Sequence, residues 1–88
     1  MTEKQIVATL GVKVMGWSKE QVEFLYPAWN PLQNIADAMQ VVESFEQYCL
    51  ERIGSSRMCE IFIHDEVYRG QGATMTEAIC HAAIKAAA

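Results

Sequence analysis

Lysine and arginine are scarce in this chain. They number seven against eleven Asp and Glu, never form a run, and leave a formal charge of −4. A surplus of that sign favours solubility and repels phosphate backbones, so nucleic acid is disfavoured as a partner. Cysteine is also scarce: Cys49, Cys59 and Cys80 make an odd count with no CxxC pair. That argues against a disulfide framework and for reduced thiols in a cytoplasmic protein. No apolar window approaches the roughly 18 residues of a membrane helix, so no membrane association is expected. The opening MTEKQIVATL is polar at once and carries Glu3, unlike a secretory leader. No Gly-rich phosphate loop exists, because the GQG of residues 70–72 lacks both length and lysine, and no Ser or Cys sits in a nucleophile motif. The expectation is a chain with no catalytic residues and no cofactor, and not an enzyme.

What remains is an ordinary globular balance, 51% hydrophobic and 20% charged. Residues 1–88 read as a single domain. A chain of this size hides roughly 60–65% of its unfolded surface, enough for one modest core.

Local signals then follow along the chain. Thr2 with Gln5 forms a capping box. Ile6, Val7, Leu10 and Val14 follow at helical spacing, and Gly16 closes the helix. From Trp17 to Trp29 the reading is irregular. Ser18 and Gln21 suit the cap of a short helical turn, while Val22, Phe24 and Tyr26 alternate as one edge strand would, and Pro27 ends either. Next, Asn30, Pro31 and Gln33 resemble a helix start. Ile35, Met39, Val42, Phe45, Cys49 and Ile53 lie on one helical stripe, and Gly54 follows, so a single long helix of about 34 Å is expected at 1.5 Å per residue. Met39 is placed in the core, under that helix. The stretch from Ser56 to Gln71 reads as a β-hairpin turning at His64-Asp65-Glu66, with Cys59, Ile61 and Ile63 on one face and Met58, Glu60, Phe62 and His64 on the other. Thr74 and Glu77 then start an alanine-rich helix able to lie close to a sheet.

Cys59, His64, Cys80 and His81 are the soft donors from which a metal site would have to be built. Adjacent Cys80 and His81 diverge by about 100° on a helix, and a zinc site needs regular four-ligand spacing, so no metal is expected. His64-Asp65-Glu66 is read as a solvated surface turn, which offers no cleft for acid–base work. The aromatic residues are the remaining candidates. Trp17, Phe24, Tyr26 and Trp29 crowd one loop. They either cover the edge of the core or anchor a protein partner, and Trp17, Tyr26 and Trp29 are the candidate protein-contact residues.

Two resemblances bear on function. The close, with Gly70, Gly72, Thr74, Glu77, Ala78, Ala82, Ala83, Lys85, Ala86 and Ala87, is similar to the end of a double-stranded RNA-binding domain. That family meets phosphates through lysines at the start of this helix; here residues 73–77 read ATMTE, and Glu77 would face the phosphates. A fuller match is carried by KVMGW (Lys13–Trp17), WNPLQNIADAMQVVESF (Trp29–Phe45) and ATMTEAICHAAIKAAA (Ala73–Ala88). In order and spacing these resemble the phage ABA sandwich domain. The resemblance implies a sheet packed between helical layers and a phage or prophage origin, and it carries no assigned activity or site residue.

The expected fold is therefore α+β, in the order α, loop or short strand, α, β, β, α, with a small antiparallel sheet between helices. The expected function is that of a non-enzymatic phage or prophage accessory protein in the host cytoplasm. Its partner would be a protein, either a host or phage protein or itself as a homodimer with Trp17 or Trp29 at the contact. A nucleic-acid-binding module is the alternative.

Overall fold

The computed structural model describes residues 1–88. Its elements run α1 (Glu3–Lys13), α2 (Lys19–Leu25), α3 (Ile35–Val42), β1 (Gln47–Ile53), β2 (Ser56–Ile63), β3 (Glu66–Gly72) and α4 (Met75–Ala87). The class is α+β, with one antiparallel sheet in the order β1-β2-β3.

Caps set most helix starts. Thr2 and Gln5 form the capping box of α1, and Ser18 and Gln21 form a second one that starts α2. The segment read as irregular therefore holds a real helix and no strand. At α4, the Thr74 hydroxyl accepts the Glu77 amide and donates to Glu77 Oε1, so this cap is built on the hydroxyl alone.

The long helix expected from Asn30 to Gly54 does not form. Asn30 is 6% exposed and shapes a tight turn instead. Its Oδ1 accepts the Leu32 amide and its own amide donates to Asp37 Oδ2. Asn34 is the true cap, accepting the Asp37 amide. α3 then ends at Val42, and residues 47–53 become β1, paired to β2 from Gln47↔Phe62 to Ile53↔Ser56. Cross-strand pairing wins because β1 and β2 are joined by the two-residue loop Gly54-Ser55, whose Gly54 sits at φ 61°, a conformation glycine adopts without a Cβ penalty. The buried stripe of α3 is accordingly Ala38, Val41 and Val42, with Met39 only partly buried and Ile35 exposed.

The second hairpin closes at Ile63↔Glu66 around His64-Asp65, one residue earlier than the expected turn, and His64 takes φ 56°. α4 packs against β2 and β3, and α1 and α3 pack against α4. Gly70 is the point of closest approach. A Cβ there would run into the backbone of Ala78 and Ala82, which explains why α4 is built of alanines along this face. The core gathers Val7, Leu10, Val22, Val42, Cys59, Ile61, Ile79 and Cys80 at 2% exposure or less. A fully buried side chain such as Ile61 contributes about 1.5–3 kcal/mol.

Helical cover of the sheet differs from the expected sandwich. α4 lies on the face that presents Cys59, Ile61 and Gly70. The opposite face, with Cys49, Met58, Phe62, Val67 and Gln71, carries no helix, and Cys49, Val67 and Gln71 on it are exposed. That face mixes the apolar Met58, Phe62 and Val67 with Gln71 and the Glu60–Arg69 ion pair.

Candidate functional site

The capping box of α2 fixes the register that exposes the candidate surface. With Val22 buried 2% exposed under α1, a residue two positions further points about 200° away around the helix, and Phe24 is 88% exposed. Val22 is held there by Gly11 of α1, where a Cβ would collide with the Val22 side chain. Phe24, Leu25, Trp17, Glu20 and Gln21 line an open depression of about 360 Å³.

Behind this depression the aromatic cluster is anchored rather than free. Trp17 and Trp29 meet edge-to-face, ring centroids 4.8 Å apart at 72°. Trp29 is 7% exposed and its Nε1–H donates to Gln40 Oε1 at 2.9 Å. Tyr26 is half-buried, and its hydroxyl donates to Glu3 Oε2 at 2.9 Å. Glu3 Oε1 also accepts from Gln33 Nε2 at 2.7 Å. The bonds from Gln33 and Tyr26 hold the Glu3 carboxyl below its ordinary range, and the bond to Glu3 pushes the Tyr26 phenol up. This network ties α1 to the loop before α3.

Of the three contact candidates from the sequence, Trp29 is thus a core residue and Tyr26 is engaged by Glu3. Trp17 is half-buried and reaches the depression. Phe24, part of the same aromatic group but not singled out, is the exposed member. The signal for it was the helical spacing from Val22, legible once Ser18 and Gln21 are taken as a cap.

The other candidates fall apart in space. Cys59 and Cys80 are buried and unpaired with each other, while Cys49 is exposed. Burial pushes the Cys59 thiol up to about 11 and the Cys80 thiol up to about 12. His64 sits in the β2–β3 turn. His81 Nδ1 lies 3.0 Å from the Gln71 carbonyl oxygen, a contact that needs the proton on Nδ1. No three His, Cys, Asp or Glu side chains converge on a point where a metal ion could sit. At the start of α4, Glu77 is held by Thr74, and Lys85 near its end donates to the Arg69 carbonyl at 2.7 Å. No helix is long and apolar enough to cross a membrane.

Comparison with known proteins agrees with the order of motifs. The model of the family described as phage ABA sandwich domain matches residues 5–84, running through the 18–28 segment that no motif had covered. No curated protein and no solved structure gives a significant match. With one continuous match that runs from within the first helix, through both hairpins, into the alanine-rich last helix, the chain belongs to the phage ABA sandwich domain family.

Proposed function

We propose that this phage-family domain acts by binding another protein and performs no chemistry of its own. The observation that carries the reading is Phe24, 88% exposed on a rigid capped helix at the rim of a depression floored by Trp17 and Leu25. A large apolar side chain held so far into water has no role in the core. Rigid aromatic anchors of this kind supply contact area at low entropic cost. Glu20 and Gln21 at the rim add polar groups suited to orienting a partner.

The test is capture from host and phage-infected lysates on immobilised wild type and on Phe24→Ser, compared quantitatively. Because Phe24 is solvated, the substitution is expected to change stability by less than about 0.5 kcal/mol. One or more proteins retained by the wild type and lost from Phe24→Ser is the expected result. Identical captured sets would contradict the reading.

A further inference from the structure

We propose that the free edge of β1 is the contact through which two copies of this chain join, antiparallel and about a two-fold axis, into one six-stranded sheet. This surface lies on a different element from the Phe24 depression and does not depend on it.

The two edges of the sheet are treated differently. Both hairpins have two-residue loops, so their closing pairs, Ile53↔Ser56 and Ile63↔Glu66, are the hydrogen-bonded kind, and pairs alternate from there. On β3 this turns the backbone groups of Val67, Arg69 and Gln71 away from the sheet. The last two of those carbonyls are covered by α4, leaving only Val67 next to the turn without a carbonyl partner: Lys85 Nζ donates to Arg69 O, and His81 Nδ1 to Gln71 O. On β1 the same alternation turns Tyr48, Leu50 and Arg52 outward, and no side chain or loop bonds their backbone groups. β1 also extends past the helical layer, since α4 rests on β2 and β3, and six of its seven residues are exposed. A bare edge of this kind is a template for pairing with another strand.

The charges select a second copy. Glu43 and Glu46 precede β1, and Arg52 lies at its far end, facing Arg57 of β2 across the sheet. The one ion pair of the chain is Arg69–Glu60, so neither arginine meets a carboxylate. Their guanidinium groups bond only nearby carbonyls, of Gly54 and Ser56. Antiparallel self-pairing lays the acidic end of one β1 on the basic end of the other. With Leu50 opposite Leu50 of the second copy, the whole strand pairs. Arg52 then faces Tyr48 with Glu46 on the diagonal, and Glu51 faces Cys49. Shifting the centre to Glu51 would oppose two glutamates, whereas the Leu50 register opposes no like charges and uses the whole length of β1. On the helix side, Leu50 against Leu50 continues the apolar row of Cys59 and Ile61.

Sedimentation equilibrium over a range of concentrations tests this. The wild-type mass is expected to rise from 9.9 kDa toward twice that value. Arg52→Pro removes an outward N–H and a charge while sparing every bond to β2, and is expected to remain a single chain with an unchanged circular dichroism spectrum. Phe24→Ser is expected to associate like the wild type. A second readout does not depend on the proline variant folding. Glu51→Cys places a thiol opposite Cys49 of the second copy in a non-hydrogen-bonded pair, so a mild thiol oxidant is expected to convert it to a disulfide-linked dimer. The double variant Cys49→Ser/Glu51→Cys is expected not to link. A single-chain mass for the wild type at every concentration overturns the proposal. So does association lost in Phe24→Ser but kept in Arg52→Pro, or linking of Glu51→Cys no faster than the double variant.

Discussion

Gly70 is the residue where one added methyl group meets the most resistance. The Ala78 and Ala82 backbone of α4 stands where a Cβ would go, and backbone cannot swing aside as a side chain can. Gly70→Ala is expected to cost about 3 kcal/mol in a denaturant melt, the upper end for overpacking; a cost under about 0.5 kcal/mol would mean that α4 does not rest there. The buried thiols give a second expectation. Folded Cys59 and Cys80 titrate near 11 and 12 against an ordinary value of 9.0. The unfolded chain therefore loses these protons first as pH rises. The contribution of these two groups to stability is complete below pH about 9 and is lost between about 9 and 12, which pH-dependent unfolding would show. At neutral pH a thiol reagent is expected to modify exposed Cys49 well before the other two, and equal rates for all three would contradict their burial.

At the scale of elements, helix starts carry their own local chemistry and strands do not. Thr2 with Gln5 and Ser18 with Gln21 announce α1 and α2 from side chains that satisfy free amides within one turn. The start of α3 was read at Asn30, but the cap is Asn34. Asn34→Ala is expected to cost about 1 kcal/mol, measured by chemical unfolding, as loss of a cap does. β1 was invisible because Val42, Phe45, Cys49 and Ile53 also satisfy a helical period, and what makes 47–53 a strand is its pairing with β2, remote from any local preference. The Gly54-Ser55 pair, a two-residue hairpin loop, was the one signal that could have revealed it. Nuclear Overhauser effects decide the matter: an Hα–Hα contact between Leu50 and Cys59 is expected, and helical contacts three residues apart through 47–53 would contradict the strand. For the candidate site, the aromatic cluster was legible as a group. Which member faces water depended on the α2 register, and so Phe24 was missed while Trp29 was favoured.

For the molecule as a whole, charge and architecture point the same way. The net charge is −4, the start of α4 presents Glu77 rather than lysine, and Lys85 is bonded to the Arg69 carbonyl. Double-stranded RNA is therefore expected to bind no tighter than about 10 µM near physiological salt, where non-specific binders reach roughly 10⁻⁴–10⁻⁶ M. A tight, salt-sensitive mobility shift would reverse that conclusion. The central claim is that the family domain meets its partner through the α2 surface. The most direct measurement adds a captured partner to ¹⁵N-labelled protein and follows the backbone amides of α2 and the Trp17 indole N–H. The account predicts that shifts or broadening concentrate on Glu20, Gln21, Phe24 and the Trp17 indole while the amides of α4 stay in place. Changes confined to α4 and β3, with α2 unmoved, would contradict it.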